Sequence, residues 1–201
     1  GYKDVLKNIH EHSEVIRFNK QTILGLHKDM QEIADIPNRG VFKKEPNFNA
    51  EVSGGVAKVR FKTVLPEETE DAIDQMLVAF DIARRDPEIS PLLLIPCVIL
   101  DFLCIHPFDD GNGRISRLLT ILLLYKAGFD IGKFVSVENM INESKDEYYD
   151  SLDKSSFGWH TNDNDYTPFI VYSLRILYRC YAKLDENVFD CLDDKLSAKD
   201  R

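Results

Sequence analysis

The sequence predicts a single all-α domain interrupted by one β-hairpin, and three observations support this fold class. Apolar residues recur at helical spacing along most of the 201 residues. Pairs of a capping residue and a proline, Ser90-Pro91 and Thr167-Pro168, mark the starts of two helices. Only one short segment alternates with a period of two. The length fits one hydrophobic core, so we expect residues 1–201 to form one domain.

Six helices follow from the apolar spacing, the capping residues and the charges that complement helix dipoles. A first helix is capped by Asn19 and stops at Ile36-Pro37, and a last one runs from Thr167 to Leu184. The segment 92–105 is apolar on nearly all sides, so we expect it to be the central buried helix. The remaining predicted helices cover residues 67–85, 114–127 and about 142–154.

One segment departs from the helical pattern. Residues 57–64 alternate apolar or small side chains with basic ones, and the turn pair Gly54-Gly55 precedes them. This period of two is typical of a strand, so residues 41–64, here called the flap, are predicted to form a β-hairpin. The alternation alone does not decide between a surface hairpin that has no function and a hairpin that has one.

Composition narrows the classes of function. The net charge of −9 argues against a nucleic-acid surface, although a single nucleotide needs only a local positive pocket. No apolar run is long enough to span a bilayer and the N-terminus lacks a signal-peptide pattern, so we expect a cytoplasmic protein. The cysteines contain no C-x-x-C pair and are predicted to be reduced core thiols rather than disulfides: Cys97, Cys104, Cys180 and Cys191.

The segment 106–117 has the backbone pattern of an anion-binding loop. Pro107 is expected to hold His106 in extended geometry, so that the preceding helix ends with the imidazole beside a loop. Gly111 and Gly113 allow this loop to approach a ligand closely. The helix that begins near Gly113 offers free N–H groups and the positive end of its dipole to an anion.

Side chains in the same segment add the groups needed for phosphate chemistry. Arg114 and Arg117 lie three residues apart, on one side of the first helical turn, and offer planar donors to phosphate oxygens. Asp110 supplies a hard carboxylate that suits Mg²⁺ on a nucleotide, and Phe108 is expected to anchor the loop in the core. His106 can accept a proton from an attacking hydroxyl because free imidazole titrates near neutrality. Each part alone has an ordinary structural explanation, but their combination indicates phosphoryl or nucleotidyl transfer.

The segment resembles the signature of Fic-domain proteins, H-P-F-x-[D/E]-G-N-G-R-x-x-R. It matches this signature at every specified position. The resemblance covers about residues 24–184 and implies a Fic-type helical bundle with a small flap. It implies a protein adenylyltransferase that moves AMP from ATP to a Ser, Thr or Tyr hydroxyl of a target protein. In that scheme His106 is the general base and Asp110 holds Mg²⁺.

The resemblance also assigns contacts with the nucleotide. Gly111, Asn112 and Gly113 would surround the α- and β-phosphates, Arg114 would contact the distal phosphates, and Arg117 would orient the γ-phosphate. A pair of tyrosines downstream would wall the adenine pocket, although helix packing would equally suit one of them. The complete nucleotide-binding set is Phe108, Gly111, Asn112, Gly113, Arg114, Arg117, Tyr148 and Tyr149.

In Fic proteins the flap holds the target by strand addition, and the resemblance gives this hairpin the same role. The residues expected to dock the target are Lys58, Val59, Arg60, Phe61, Lys62, Thr63 and Val64. Many Fic proteins are also restrained by a helix carrying S/T-x-x-x-E-G/N, a pattern that no Ser or Thr of this sequence begins. An inhibitory helix is therefore expected from a missing segment or from another protein.

Two other functions stay open at this point. Fic relatives also transfer UMP, phosphocholine or phosphate, or remove AMP, and the signature does not separate these activities. A nucleotide-binding regulatory module without turnover is the other possibility, but such a module would not need His106. The expected partners are ATP and a target protein, with neither nucleic acid nor membrane.

Overall fold

The computed structural model describes residues 1–31, 38–53 and 56–199, with the backbone alone for residues 48–53, 56–60 and 190–199. These ranges contain eight α-helices and one two-stranded antiparallel sheet, which confirms the all-α prediction. None of the described helices is long and apolar enough to cross a bilayer. The helices are α1 (Tyr2–His12), α2 (Lys20–Met30), α3 (Pro66–Ala83), α4 (Pro91–Ile105), α5 (Asn112–Lys126), α6 (Val137–Glu143), α7 (Lys145–Ser156) and α8 (Thr167–Lys199). The strands are β1 (Phe48–Ser53) and β2 (Val56–Lys62).

Helix α4 is the centre of the bundle, as its uniform hydrophobicity predicts. It packs against α3, α5, α7 and α8, and Leu100 and Phe102 are completely buried in it. Leu118 and Leu122 of α5 are equally buried. Burying one such side chain contributes about 1.5–3 kcal/mol, so this pair of helices forms a rigid support for the loop that joins them.

The predicted caps explain where several helices begin. The Asn19 side chain accepts a hydrogen bond from the Thr22 N–H at 2.9 Å, and Ser90 caps α4 through the Leu92 N–H at 3.3 Å. The predicted stop at Ile36-Pro37 and the turn at Gly54-Gly55 lie outside the described residues.

The structure differs from the sequence prediction at three helices. The helix α1 was not predicted, and α8 continues well beyond Leu184. The predicted helix at about 142–154 corresponds to α7, and α6 before it was not predicted; the two helices are separated at Ser144. The Ser144 hydroxyl donates to the Met140 carbonyl at 2.9 Å and is hydrogen-bonded to the Tyr172 hydroxyl, so the break is fixed from α8.

The cysteines agree with the prediction of reduced thiols within the part of the chain whose side chains are described. Cys97, Cys104 and Cys180 are free, and burial raises the pKa of the Cys97 thiol to about 11. Cys191 is not among the residues whose side chains are described.

Candidate active site

The signature segment, residues 106–117, joins the C-terminal end of α4 to the first turns of α5. His106 caps α4 with φ 53° and ψ 60°, in the left-handed region. The extended geometry predicted for His106 is therefore wrong. A following proline disfavours the right-handed helical region, and the left-handed cap ends the helix equally well.

The imidazole of His106 has one nitrogen bound and one available. Its Nδ1 lies 3.1 Å from the Leu103 carbonyl oxygen, which can only accept, so Nδ1 carries the hydrogen and Nε2 keeps its lone pair. Burial lowers the pKa of His106, with a further lowering from the charge of Lys43, while the Leu103 carbonyl and Asp110 oppose this. His106 is therefore a neutral base at neutral pH.

Two side chains fix the turn that follows His106. Phe108 is completely buried, so its ring anchors the loop and faces the core. The buried amide of Asn112 accepts from the Phe108 N–H at 2.9 Å and donates to the Phe108 carbonyl at 2.7 Å. Gly111 between them has φ 86°, and a Cβ there would lie 2.8 Å from the Met30 side chain. The loop thus needs both the amide and the glycine.

His27 of α2 is a residue of the site that the sequence analysis did not identify. Its Nδ1 accepts from the Gly40 N–H at 2.9 Å, so Nε2 carries the hydrogen and donates to the Asp110 carbonyl at 3.1 Å. The ring stacks on Phe108 with centroids 3.8 Å apart and planes 4° apart. His27 is buried and holds the signature segment against α2.

Both signature arginines are paired with carboxylates. Arg114 Nη2 lies 3.0 Å from Asp110 Oδ2, and Arg117 Nε lies 3.3 Å from Glu138 Oε1, although that N–H is not aligned for a hydrogen bond. The hydroxyl of Tyr2 adjoins the second pair, and burial followed by the charge of Glu138 raises its pKa to about 12. Glu138 was not predicted because nothing local in α6 marks it.

The residues present suit a Mg²⁺ ion that arrives with a nucleotide. The side chain of Asp110 is 70% exposed in the turn that precedes α5. Among the described side chains, no group of three or more His, Cys, Asp or Glu residues could hold a metal on its own. Mg²⁺ commonly takes one or two carboxylates and completes its shell with phosphates and water, which fits a lone exposed Asp110.

Comparison with known families identifies this arrangement. Residues 17–124, more than half of the chain, match the Fic/DOC family. The chain belongs to the Fic/DOC family.

Two longer curated relatives are named as Fic adenylyltransferases. The sequence is 33% identical over 120 residues to "Protein adenylyltransferase Fic" of Nematostella vectensis, covering 58% of this chain and 24% of that protein. It is 26% identical over 211 residues to "Protein adenylyltransferase fic-1" of Caenorhabditis elegans, covering 96% of this chain and 39% of that protein. The chain therefore spans well under half the length of these two relatives.

Solved structures of Fic proteins have the same fold. A Fic domain containing signaling protein from Bacteroides thetaiotaomicron aligns with a TM-score of 0.70 and 21% identity, covering 91% of this chain and 69% of that one. C. elegans Fic-1 aligns with a TM-score of 0.68 and 20% identity, covering 96% of this chain and 51% of that one. At such identities the likeness shows the fold alone.

The tyrosine pair of this Fic domain is divided between core and surface. Tyr148 is 8% exposed and packs edge-on against Phe169 and Tyr172, whereas Tyr149 is 36% exposed. Tyr148 also lines an apolar cavity of about 70 Å³ beside Arg117. Tyr149 is thus the member of the pair with more surface to offer a nucleoside.

The flap of this Fic domain is a hairpin with an irregularity between Asn49 and Ala50. Thr63 and Val64 follow β2, and their side chains are buried beneath the hairpin. Phe61 and Lys62 lie at the end of β2, where Lys62 is exposed. The side chains of residues 58–60 lie outside the described ones.

The turn between α7 and α8, whose role the sequence did not indicate, holds the base of the flap. The His160 ring stacks on Phe61 with centroids 5.2 Å apart, and His160 Nε2 is hydrogen-bonded to the Lys62 carbonyl. Trp159 next to it donates to Asp101 of α4 at 2.8 Å. The end of β2 is therefore tied to the central helix.

Proposed function

We propose that this Fic domain is a protein adenylyltransferase, which transfers AMP from ATP to a Ser, Thr or Tyr hydroxyl of a target protein. The observation that carries the proposal is the placement of an available imidazole nitrogen at one end of the turn that begins α5. A proton acceptor and an anion-binding helix terminus then lie within a single loop. The names of the curated relatives support the same activity.

His106 acts on the target hydroxyl. Its Nε2 takes the hydroxyl proton while the hydroxyl oxygen forms a bond to the α-phosphorus. The bond between the α-phosphorus and the oxygen that bridges to the β-phosphate breaks, and pyrophosphate leaves. The Nδ1–H to Leu103 hydrogen bond holds the ring orientation throughout and stabilises the imidazolium that forms.

The phosphates bind at the start of α5. Backbone N–H groups at Gly111, Asn112 and Gly113 belong to a helix terminus that has no intrahelical partners for its first donors. Arg114 and Arg117 exchange their carboxylate partners for phosphate oxygens when ATP binds. Mg²⁺, held by Asp110, would neutralise charge on the phosphates and on the leaving pyrophosphate.

The flap presents the acceptor. An extended target segment adds to the hairpin as a further strand, so that main-chain hydrogen bonds bring its hydroxyl side chain to the loop. The basic residues of β2, Lys58, Arg60 and Lys62, favour target segments that carry acidic residues.

Intact-mass analysis tests the proposed activity. The protein is incubated in parallel with Mg²⁺ and ATP, UTP, CTP or GTP, and with ATP and a chelator as the blank. An AMP-sized increase with ATP and Mg²⁺ alone is expected. An increase with another nucleotide only would indicate a different transferred group. Binding of ATP without labelling of the chain or of any protein in an added lysate would indicate a regulatory module.

The lowered pKa of His106 predicts the acidic limb of the rate profile. Protonated His106 cannot accept the hydroxyl proton, so kcat/KM for transfer should fall with decreasing pH only below the ordinary histidine value of about 6.5. The measurement is kcat/KM from pH 5 to 8, with ATP binding followed over the same range because phosphate groups also titrate near pH 6. A limb centred above the ordinary histidine value, with binding constant, would contradict this assignment.

A further inference from the structure

A buried lysine lies directly beneath the signature segment. Lys43, at the start of the flap, is 3% exposed. Its ammonium group donates to the Ile105 carbonyl at 3.0 Å, to Asn47 Oδ1 at 2.8 Å and to Thr63 Oγ1 at 3.0 Å. These three acceptors are neutral, so the positive charge of Lys43 is not neutralised by its own hydrogen-bond partners.

Lys43 and Asn47 together bind four successive carbonyl groups around His106. Besides the Ile105 carbonyl, the backbone N–H of Lys43 donates to the Pro107 carbonyl at 2.8 Å. The Asn47 amide donates to the His106 carbonyl at 3.2 Å and to the Phe108 carbonyl at 2.8 Å. The main chain on both sides of the left-handed His106 is thus held by two residues of the flap.

The same cluster closes the base of the hairpin. Asn47 directly precedes β1 and Thr63 directly follows β2. The Thr63 hydroxyl lies 2.8 Å from the Asn47 carbonyl oxygen and 2.6 Å from Asn47 Oδ1. The base of the hairpin is therefore connected to the backbone of His106 through short hydrogen bonds.

We propose that Lys43 and Asn47 are positioning residues, which hold the backbone of His106 in its left-handed conformation and couple it to the base of the flap. This inference rests on the proposed function of the same site. A left-handed non-glycine residue is strained and persists only when its surroundings fix it, which the four carbonyl contacts do. Docking of a target on the hairpin then acts on the orientation of the base.

Burial is the main cause of the lowered pKa of His106, and the charge of Lys43 adds to it. The groups that act on the imidazole among the described residues are the Lys43 ammonium, the Leu103 carbonyl and the Asp110 carboxylate. Burial lowers the pKa of Lys43 to about 8, so the ammonium stays mostly charged at neutral pH and opposes protonation of His106. A residue with a purely structural role would not have this effect.

Lys43→Met keeps much of the apolar stem and removes the charge together with the three hydrogen bonds of the ammonium group. Lys44→Met, the loss of the same charge from the exposed neighbouring residue, is the matched control. The titration of His106 is followed by NMR of its ring carbon, assigned with His106→Ala. The pKa of His106 should rise in Lys43→Met and stay unchanged in Lys44→Met. An unchanged titration in a folded Lys43→Met protein would overturn the electrostatic part.

Asn47→Ala tests, without a change of charge, whether the flap positions the backbone of His106. It also keeps the proposal testable if Lys43→Met does not fold. It removes the contacts with the His106 and Phe108 carbonyls. We expect kcat for AMP transfer to fall by about 10- to 100-fold, as small misplacements of reacting groups do, with the KM for ATP and the titration of His106 little changed. An unchanged kcat would overturn the positional part.

The two proposals can fail separately. If the unmodified protein transfers AMP to nothing, the proposed function fails. The NMR titration then still decides whether Lys43 acts on His106, because it needs no turnover.

Discussion

Replacement of His106 by alanine is expected to lower the rate of AMP transfer by about 10²–10⁴-fold, the usual contribution of a positioned general base. Nucleotide affinity should be retained, because the proposed phosphate site lies at the start of α5 and at Arg114 and Arg117 and does not include the imidazole. Single-turnover transfer with saturating ATP and Mg²⁺ gives the rate, and calorimetric titration gives the affinity. His12→Ala, at an exposed histidine at the end of α1, is the control for loss of any imidazole.

Because His106 is in the left-handed conformation, the test of its role as base needs a second substitution. Alanine at φ 53° is strained, so a loss of activity in His106→Ala could reflect a shifted backbone. Asparagine adopts the left-handed region more readily but its amide is not a base at neutral pH. Equal losses in His106→Ala and His106→Asn would assign the effect to proton transfer. Activity within about tenfold of the unmodified protein in either variant would contradict the role of His106 as base.

The helices that the sequence predicts well are those whose burial is visible locally. The apolar run of α4 is continuous, and the caps Asn19 and Ser90 act within three residues along the chain. Helix α1 was missed because its eleven residues bury only Val5 and Ile9, too narrow a stripe to distinguish it from a polar segment. Helix α6 was missed as well, and the hydrogen bond of Ser144 at its end to Tyr172, 28 residues away, has no local signal.

The candidate site also has one part that the sequence predicts and one part that it does not. The signature residues are contiguous, so the sequence alone displays their chemistry and their order together. The residues that hold them come from distant parts of the chain: His27 is 83 residues from Asp110, and Lys43 is 62 residues from Ile105. A single histidine or lysine in an otherwise ordinary segment gives no indication of such a contact. Only the packing of α2 and the flap against the loop brings these side chains to it.

Replacement of Asp110 by asparagine is expected to lower kcat/KM for ATP in the presence of Mg²⁺ by about 100-fold, which corresponds to about 2.7 kcal/mol. An amide is a much weaker ligand for Mg²⁺ than a carboxylate, so the nucleotide loses the ion that connects it to the loop. The ion pair with Arg114 is exposed and contributes at most about 1 kcal/mol, so its loss should affect folding little.

Asp109→Asn provides a matched control for this prediction. Asp109 is the neighbouring exposed carboxylate, and its Oδ2 accepts from the Asn38 amide at 3.1 Å. Both substitutions remove one negative charge from the same turn, but only Asp110 is expected to hold Mg²⁺. Calorimetric titration with ATP should show that Mg²⁺ strengthens binding to Asp109→Asn and not to Asp110→Asn. Without Mg²⁺, Asp110→Asn should bind ATP at least as tightly as the unmodified protein, because Arg114 no longer has a competing carboxylate. If the two variants behave alike, Asp110 acts only through its charge, and the assignment of the metal to this residue is wrong.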